Sequence, residues 1–237
     1  MKKTILTAMT IMSLNASAQA PKLTKDNIDE VLSAMTLDEK AKLLVGGLFD
    51  FFSPVAVAGS AARTVPGAAG TTVAIERLGI PETILTDGPA GVRIQPHFKT
   101  DGIDGPLLPG GHIFGLSRVP FPDDLPETAV DHYQYCTAVP IATALAQTWN
   151  MDLIYNVGYI VGLEMKKFFI HFWLAPGMNL HRNPLCGRNF EYYSEDPFLA
   201  GKMASAMVNG IQSANVGATA KHFACNDKET NRMESDS

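Results

Sequence analysis

Three stretches of the sequence hold residues equipped for hydrogen-bond and proton chemistry. Asp87 stands before Gly88-Pro89. Asn179, His181, Arg182, Arg188, Asn189 and Glu191 crowd one polar loop. Lys221 and His222 are neighbours. A carboxylate accepts hydrogen bonds, ammonium and guanidinium groups donate them, and amides and imidazoles do both. Gathered on one rim, this set would suit a ligand with many hydroxyls, such as a sugar. Each residue also has a plainer reading. Asp87 can shape a turn through its own backbone. Arg188 and Glu191 can form an ion pair three residues apart. His222 can be a satisfied interior histidine.

For these residues to meet, the surrounding elements must deliver them to one face. Strand-like runs at 83–86, 169–174 and 216–220 each end where a polar group begins. Helices are expected between them. One starts near Pro140, a second after Asn150 and runs to about Lys167, and a third after Asp196-Pro197 and runs to about Ser213. Strand and helix alternating in this way is the grammar of a parallel α/β sheet, whose carboxyl strand ends share one face. In a regular strand, adjacent side chains point to opposite faces. Lys221 and His222 can both reach one ligand only if the backbone kinks there. Upstream, Ile28, Val31, Leu32 and Met35 recur at helical spacing within 23–35. Thr36 and Glu39 form a capping box, and the helix it opens should stop at Gly46-Gly47. Residues 53–72 and 95–136 read as loops.

Composition excludes several classes. The chain has 237 residues, 46% hydrophobic and 18% charged, too apolar for a disordered chain. Its net charge of −5 argues against nucleic acid as a partner. No Gly-rich phosphate loop follows a strand, so nucleotide binding has no support. Lys2 and Lys3, the apolar run to Leu14 and Ala18-Gln19-Ala20 read as a secretory signal peptide over 1–20, implying a secreted or periplasmic protein. No stretch is long enough for a membrane span. Cys136, Cys186 and Cys225 are too few for a disulfide scaffold and fit no zinc spacing; all three read as buried small side chains. His97, His112 and His132 likewise suggest no metal site, and His171 reads as a solvent or interface residue.

Leu85-Thr86-Asp87-Gly88-Pro89-Ala90-Gly91-Val92-Arg93 resembles the start of the barrel in glycoside hydrolase family 3. The stretch 175–197, with Asn179, His181, Arg182, Arg188 and Glu191, is similar to that family's most diagnostic block. Lys221-His222-Phe223-Ala224 followed by Glu229-Thr230-Asn231-Arg232 resembles the next one. The resemblance runs from about Leu37 to the C-terminus. It implies the N-terminal portion of an incomplete (β/α)8 TIM barrel over 21–237. It further implies a retaining exo-β-glycosidase that removes terminal non-reducing β-D-glucosyl residues from a β-linked oligosaccharide or glycoside, without metal or cofactor. Asp87, Arg188, Lys221 and His222 would bind substrate; Asn179, Arg182 and Glu191 would support Arg188 and the loop. The family's nucleophile and acid/base would lie beyond residue 237, in the remaining barrel and a following α/β sandwich domain. This chain would then hold part of the sugar subsite and be inactive alone.

Residues 166–173 (KKFFIHFW) depart from the family pattern, as does Asp227-Lys228. The alternatives are a β-xylosidase of the same family, a catalytically inactive sugar-binding fragment, and an aldolase-type barrel with Lys221 as Schiff-base lysine.

Overall fold

A computed structural model describes residues 20–46, 65–105, 107–108, 110, 120–231 and 234. The expected signal peptide, except Ala20, lies outside the described residues, as do His112, Arg232 and most of the 53–72 stretch.

The chain opens with α1 (Ile28–Ala34) and α2 (Leu37–Val45). α1 is shorter than its apolar spacing predicts because Asn27 shapes a turn before it. The Asn27 side chain accepts from the Thr24 amide at 2.7 Å and donates to the Lys22 carbonyl at 2.8 Å. At α2 the expected capping box is present. The Glu39 amide donates to the Thr36 hydroxyl, and the Thr36 amide donates back to the Glu39 carboxylate. Val31, Met35, Ile75 and Leu78 form a small core of their own beneath this pair.

The main sheet has the order β1-β2-β5-β6, from β1 (Gly70–Thr71), β2 (Ile84–Thr86), β5 (Phe172–Trp173) and β6 (Gly217–Ala218). β1 runs antiparallel to β2, whereas β2, β5 and β6 are mutually parallel. Thr86 pairs with Trp173, and Trp173 with Ala218, so the three strands end level. α3 (Ala142–Ala146) and α4 (Met151–Lys167) carry the first crossover, and α5 (Pro197–Ser213) the second. This is the repeating unit of a (β/α) barrel.

The strands are shorter than the apolar runs predict. Residues 168–170 still belong to the α4 terminus: the Ile170 amide donates to the Met165 carbonyl, and Phe169 has φ 57°. Asn150 and Asp196 cap α4 and α5 through their side chains, and Pro197 occupies the first turn of α5. α3 begins later than expected, with Ile141 rather than Pro140 at its border.

The 95–136 segment is corrected by the structure. It holds an antiparallel hairpin of β3 (His97–Asp101) and β4 (Ala129–Tyr133), paired over five residues. Its sequence lacks an apolar alternation because cross-strand polar pairs hold it. Asp131 accepts from Lys99 at 2.8 Å and meets His97 at 2.6 Å, and Thr100 meets His132 at 2.6 Å.

The main core lies between the sheet and the paired α4 and α5. α5 buries Leu199, Ala200, Met203, Ala204, Met207 and Ile211, a helical stripe. Gly210 lets α4 come close: a Cβ there would lie 2.1 Å from the Tyr155 carbonyl oxygen. Trp173, fully buried, is the largest side chain of this core. The cysteines do not share one fate. Cys186 is buried and Cys136 half-buried, but Cys225 is exposed, so its reading as a buried residue is overturned. Burial, with the nearby Glu164 charge, pushes the Cys136 thiol up to about 12, which keeps it protonated. His171 is exposed as expected, though its Nδ1 accepts from the Ile84 amide at 3.0 Å.

Candidate functional site

Asp87 follows β2 directly. The next residues turn sharply, and the Gly91 amide donates to the Gly88 carbonyl. Gly88 has φ 105°, and a Cβ there would lie 2.2 Å from the Gly91 oxygen, so only glycine fits. Trp173 Nε1 donates to the Gly88 carbonyl at 3.0 Å, pinning this turn to β5. The Thr86 hydroxyl donates to the Arg93 carbonyl at 2.8 Å and the Arg93 amide to the Asp87 carbonyl at 3.0 Å. Arg93 is thereby brought back beside Asp87.

The Asp87 carboxylate sits between two cations. Lys221 Nζ lies 2.7 Å from Oδ1, Arg93 Nη2 lies 2.7 Å from Oδ2, and the Gly88 amide also donates to Oδ1. Burial raises the pKa of this carboxyl. The hydrogen bonds from Lys221 and Gly88 and the charges of Lys221 and Arg93 outweigh it, and the net result lies below the ordinary value.

The polar loop after β5 folds around a 3-10 turn at Asn189–Glu191. His181 Nε2 meets the carbonyls of Asn189 and Tyr192, at 2.8 and 3.0 Å, and the Thr143 hydroxyl donates to the same two oxygens. This turn places Arg188 against Glu191, which is buried and accepts from the Arg188 guanidinium. Arg188 Nη2 then donates to His222 Nε2 at 2.9 Å. Burial opposes the Arg188 charge, but the Glu191 contact dominates and raises its pKa.

The backbone at the end of the third strand departs from regular β geometry, as the spacing predicts. The Lys221–His222 peptide is cis. The Lys221 amide donates to the Pro176 carbonyl and the Met178 amide to the Lys221 carbonyl, which ties the segment to the strand beside it. Lys221 reaches Asp87, while His222 reaches Arg188 at 2.9 Å, Asn179 Oδ1 at 3.1 Å and the Tyr192 hydroxyl at 3.2 Å.

Asp87, Arg93, Arg188, Glu191 and Lys221 line one cavity of about 450 Å³. His222 stands behind Arg188 and lines a neighbouring cavity of about 330 Å³ with Asn179 and Arg182. Of the three residues expected to support Arg188, Glu191 contacts it directly and Asn179 acts on His222. Arg182 instead pairs with Asp227 at 2.5 Å and is largely exposed. Its long, flexible side chain finds a carboxylate nearer than the interior. Arg93 and Tyr192 join the site beside the residues expected from the sequence. Arg93 closes the Asp-Gly-Pro motif six residues after Asp87, and that short return was the signal. No group of three or more His, Cys, Asp or Glu among the described residues could hold a metal ion.

This cavity presents three cations and two carboxylates, all oriented by one another. Such a rim can donate to and accept from adjacent hydroxyls at once. Residues 122–234 match the model of the Glycosyl hydrolase family 3 N terminal domain. Over that stretch, just under half of its length, the chain is similar to glycoside hydrolase family 3. Among its curated relatives, Beta-glucosidase A of Butyrivibrio fibrisolvens is 47% identical over 163 residues, covering 69% of this chain and 16% of that protein. Thermostable beta-glucosidase B of Acetivibrio thermocellus is 35% identical, covering 89% of this chain and 22% of that protein. Among solved structures, beta-glucosidase 3B from Thermotoga neapolitana in complex with glucose superimposes with a TM-score of 0.66 at 44% identity. That match covers 86% of this chain and 24% of the other. The chain therefore spans less than a quarter of the length of these relatives.

Proposed function

We propose that this chain forms the sugar-holding wall of a retaining exo-β-glycosidase that hydrolyses terminal non-reducing β-D-glucosyl residues. One observation carries the reading. Asp87 is held as an ionised acceptor between Lys221 and Arg93, with Arg188 lining the same cavity. A glucose ring seated there would set neighbouring hydroxyls against one carboxylate and several cationic donors, fixing the anomeric carbon in place. The likeness to a β-glucosidase solved with glucose supports this choice of sugar.

In this reading Asp87, Arg93, Arg188 and Lys221 grip hydroxyls, and His222 acts through Arg188. Retaining hydrolysis uses two carboxyl groups about 5–5.5 Å apart, one as nucleophile and one as acid/base. Asp87 and Glu191 take neither part, since both already accept from cations. No cofactor enters. The leader over 1–20 exports the protein to the periplasm or the outside, where β-linked oligosaccharides are met. No helix among the described residues is long and apolar enough to cross a membrane.

Glucose titrated into the full chain and followed by saturation-transfer NMR tests the reading. Wild-type protein should bind, and Asp87→Ala should weaken binding at least about tenfold, the effect of losing a charge-assisted hydrogen-bond partner. Equal binding by the variant would make Asp87 a turn residue and end the proposal. Xylose in the same titration separates glucosidase from xylosidase: the proposal requires glucose to bind more tightly.

A further inference from the structure

The β3–β4 hairpin takes no part in the contacts around Asp87 and Arg188, yet its base stands at the edge of the sugar cavity. Gln134 and Tyr135, just past β4, line that cavity together with Asp87 and Lys221. The Gln134 side chain is buried and donates to the Pro66 carbonyl at 2.8 Å, while its amide donates to the Pro96 carbonyl at 3.0 Å. These bonds fix where the hairpin stands. Tyr133 and Tyr135, two residues apart, are 58% and 68% exposed. Their rings lie 5.8 Å apart and inclined by only 26°. Tyr133 in turn stacks on the His97 ring at 4.6 Å and 6°, and His97 is held by Asp131 at 2.6 Å. The result is a shelf of three near-parallel rings, anchored at its far end and open to solvent, that runs into the polar cavity.

Exposed aromatic rings leave apolar surface in water, and a contiguous exposed patch beside a binding cleft marks a contact site. A pyranose has one face of C–H bonds and a periphery of hydroxyls. The face can lie on an aromatic ring while the hydroxyls stay wet. We propose that Tyr135 and Tyr133 form a stacking platform for the second sugar of the substrate, on the leaving-group side of the terminal glucose. This assignment rests on the sugar-holding role of the adjoining cavity. It makes the chain a reader of disaccharides and longer oligosaccharides rather than of glucose alone. Tyr135 would carry the nearer ring. Tyr133, backed by His97, would hold Tyr135 in orientation and extend the platform.

The experiment compares glucose with cellobiose in binding to the full chain, for wild type, Tyr135→Ala, Tyr135→Phe and Tyr133→Ala. Cellobiose should bind about five- to tenfold more tightly than glucose to wild type, the range that aromatic stacking supplies. Tyr135→Ala should erase that advantage, so that cellobiose binds no more tightly than glucose to the variant. Tyr135→Phe should keep the advantage, because the ring is what counts, and Tyr133→Ala should reduce it. Both tyrosines are exposed, so these variants should fold, and a wild-type circular dichroism spectrum and urea midpoint check that they have. Cellobiose binding no more tightly than glucose, or an advantage that survives Tyr135→Ala, overturns the platform while leaving the glucose site standing. A wild-type chain that binds neither sugar overturns the sugar-site reading, and the platform with it.

Discussion

His222 shows how the site's hydrogen bonds settle protonation. Arg188 can only donate, so Nε2 of His222 must accept from it, and the ring proton sits on Nδ1. There it faces Asn179 Oδ1 and the Tyr192 hydroxyl. Tyr192 keeps its own proton because burial lifts its pKa to about 12, and it donates to the Asn226 carbonyl at 2.7 Å. A neutral imidazole thus buttresses a permanently charged guanidinium. Asp87 sets the acid limit. Its pKa is lowered by folding, so its ion pairs stabilise the native state above the unfolded value of about 3.9 and cease to do so as pH falls through the folded value. The gap in unfolding free energy between wild type and Asp87→Ala should be constant from pH 7 to about 5 and close progressively below about 4. Urea titrations at each pH measure it, and a gap that widens in acid would contradict the ion-pair geometry. Asp87, Lys221 and His222 were legible as a group because they follow strands, and Arg188 because it stands in the polar loop that follows the strand between them. Arg182 was read by position alone, and position cannot tell which of two nearby carboxylates or arginines a flexible side chain will meet.

Elements were legible where a local bond announces them. Thr36 with Glu39, Asn150, and Asp196 with Pro197 fix their helix starts through contacts within a few residues, and each stands where expected. The hairpin escaped because its bonds join residues about thirty positions apart, such as Lys99 and Asp131, and because its strands mix charged, hydroxyl and aromatic side chains instead of presenting a regular apolar face. The close packing of α4 on α5 was also hidden. Gly158 and Gly210 look like weak points in helices until the opposing backbone is seen at 2.5 and 2.1 Å from where a Cβ would be. Gly210→Ala raises intrinsic helix propensity, yet it must push the helices apart. It should destabilise the chain by about 1–3 kcal/mol in chemical denaturation. A neutral or stabilising result would show that the α4–α5 contact yields easily.

At the scale of the whole chain, the buried apolar residues form two cores, the smaller around Val31, Met35, Ile75 and Leu78, and the polar rim around Asp87 stands over the larger. The division into a satellite helix pair and a barrel segment came only from which apolar residues touch. The chain's two tryptophans happen to sample opposite environments. Trp149 is 70% exposed, whereas Trp173 is fully enclosed and bonded to the Gly88 carbonyl, one residue from Asp87. That bond gives the protein a built-in optical gauge. Emission should divide into a red-shifted component that acrylamide quenches and a blue-shifted one that it does not reach. Removing Trp149 as Trp149→Phe should leave only the protected component. Its intensity would then respond to whatever displaces the Asp87 turn, so sugar arriving at the rim could be followed from inside the core without any label. An emission left fully open to acrylamide in that variant would show that the turn and β5 part in solution.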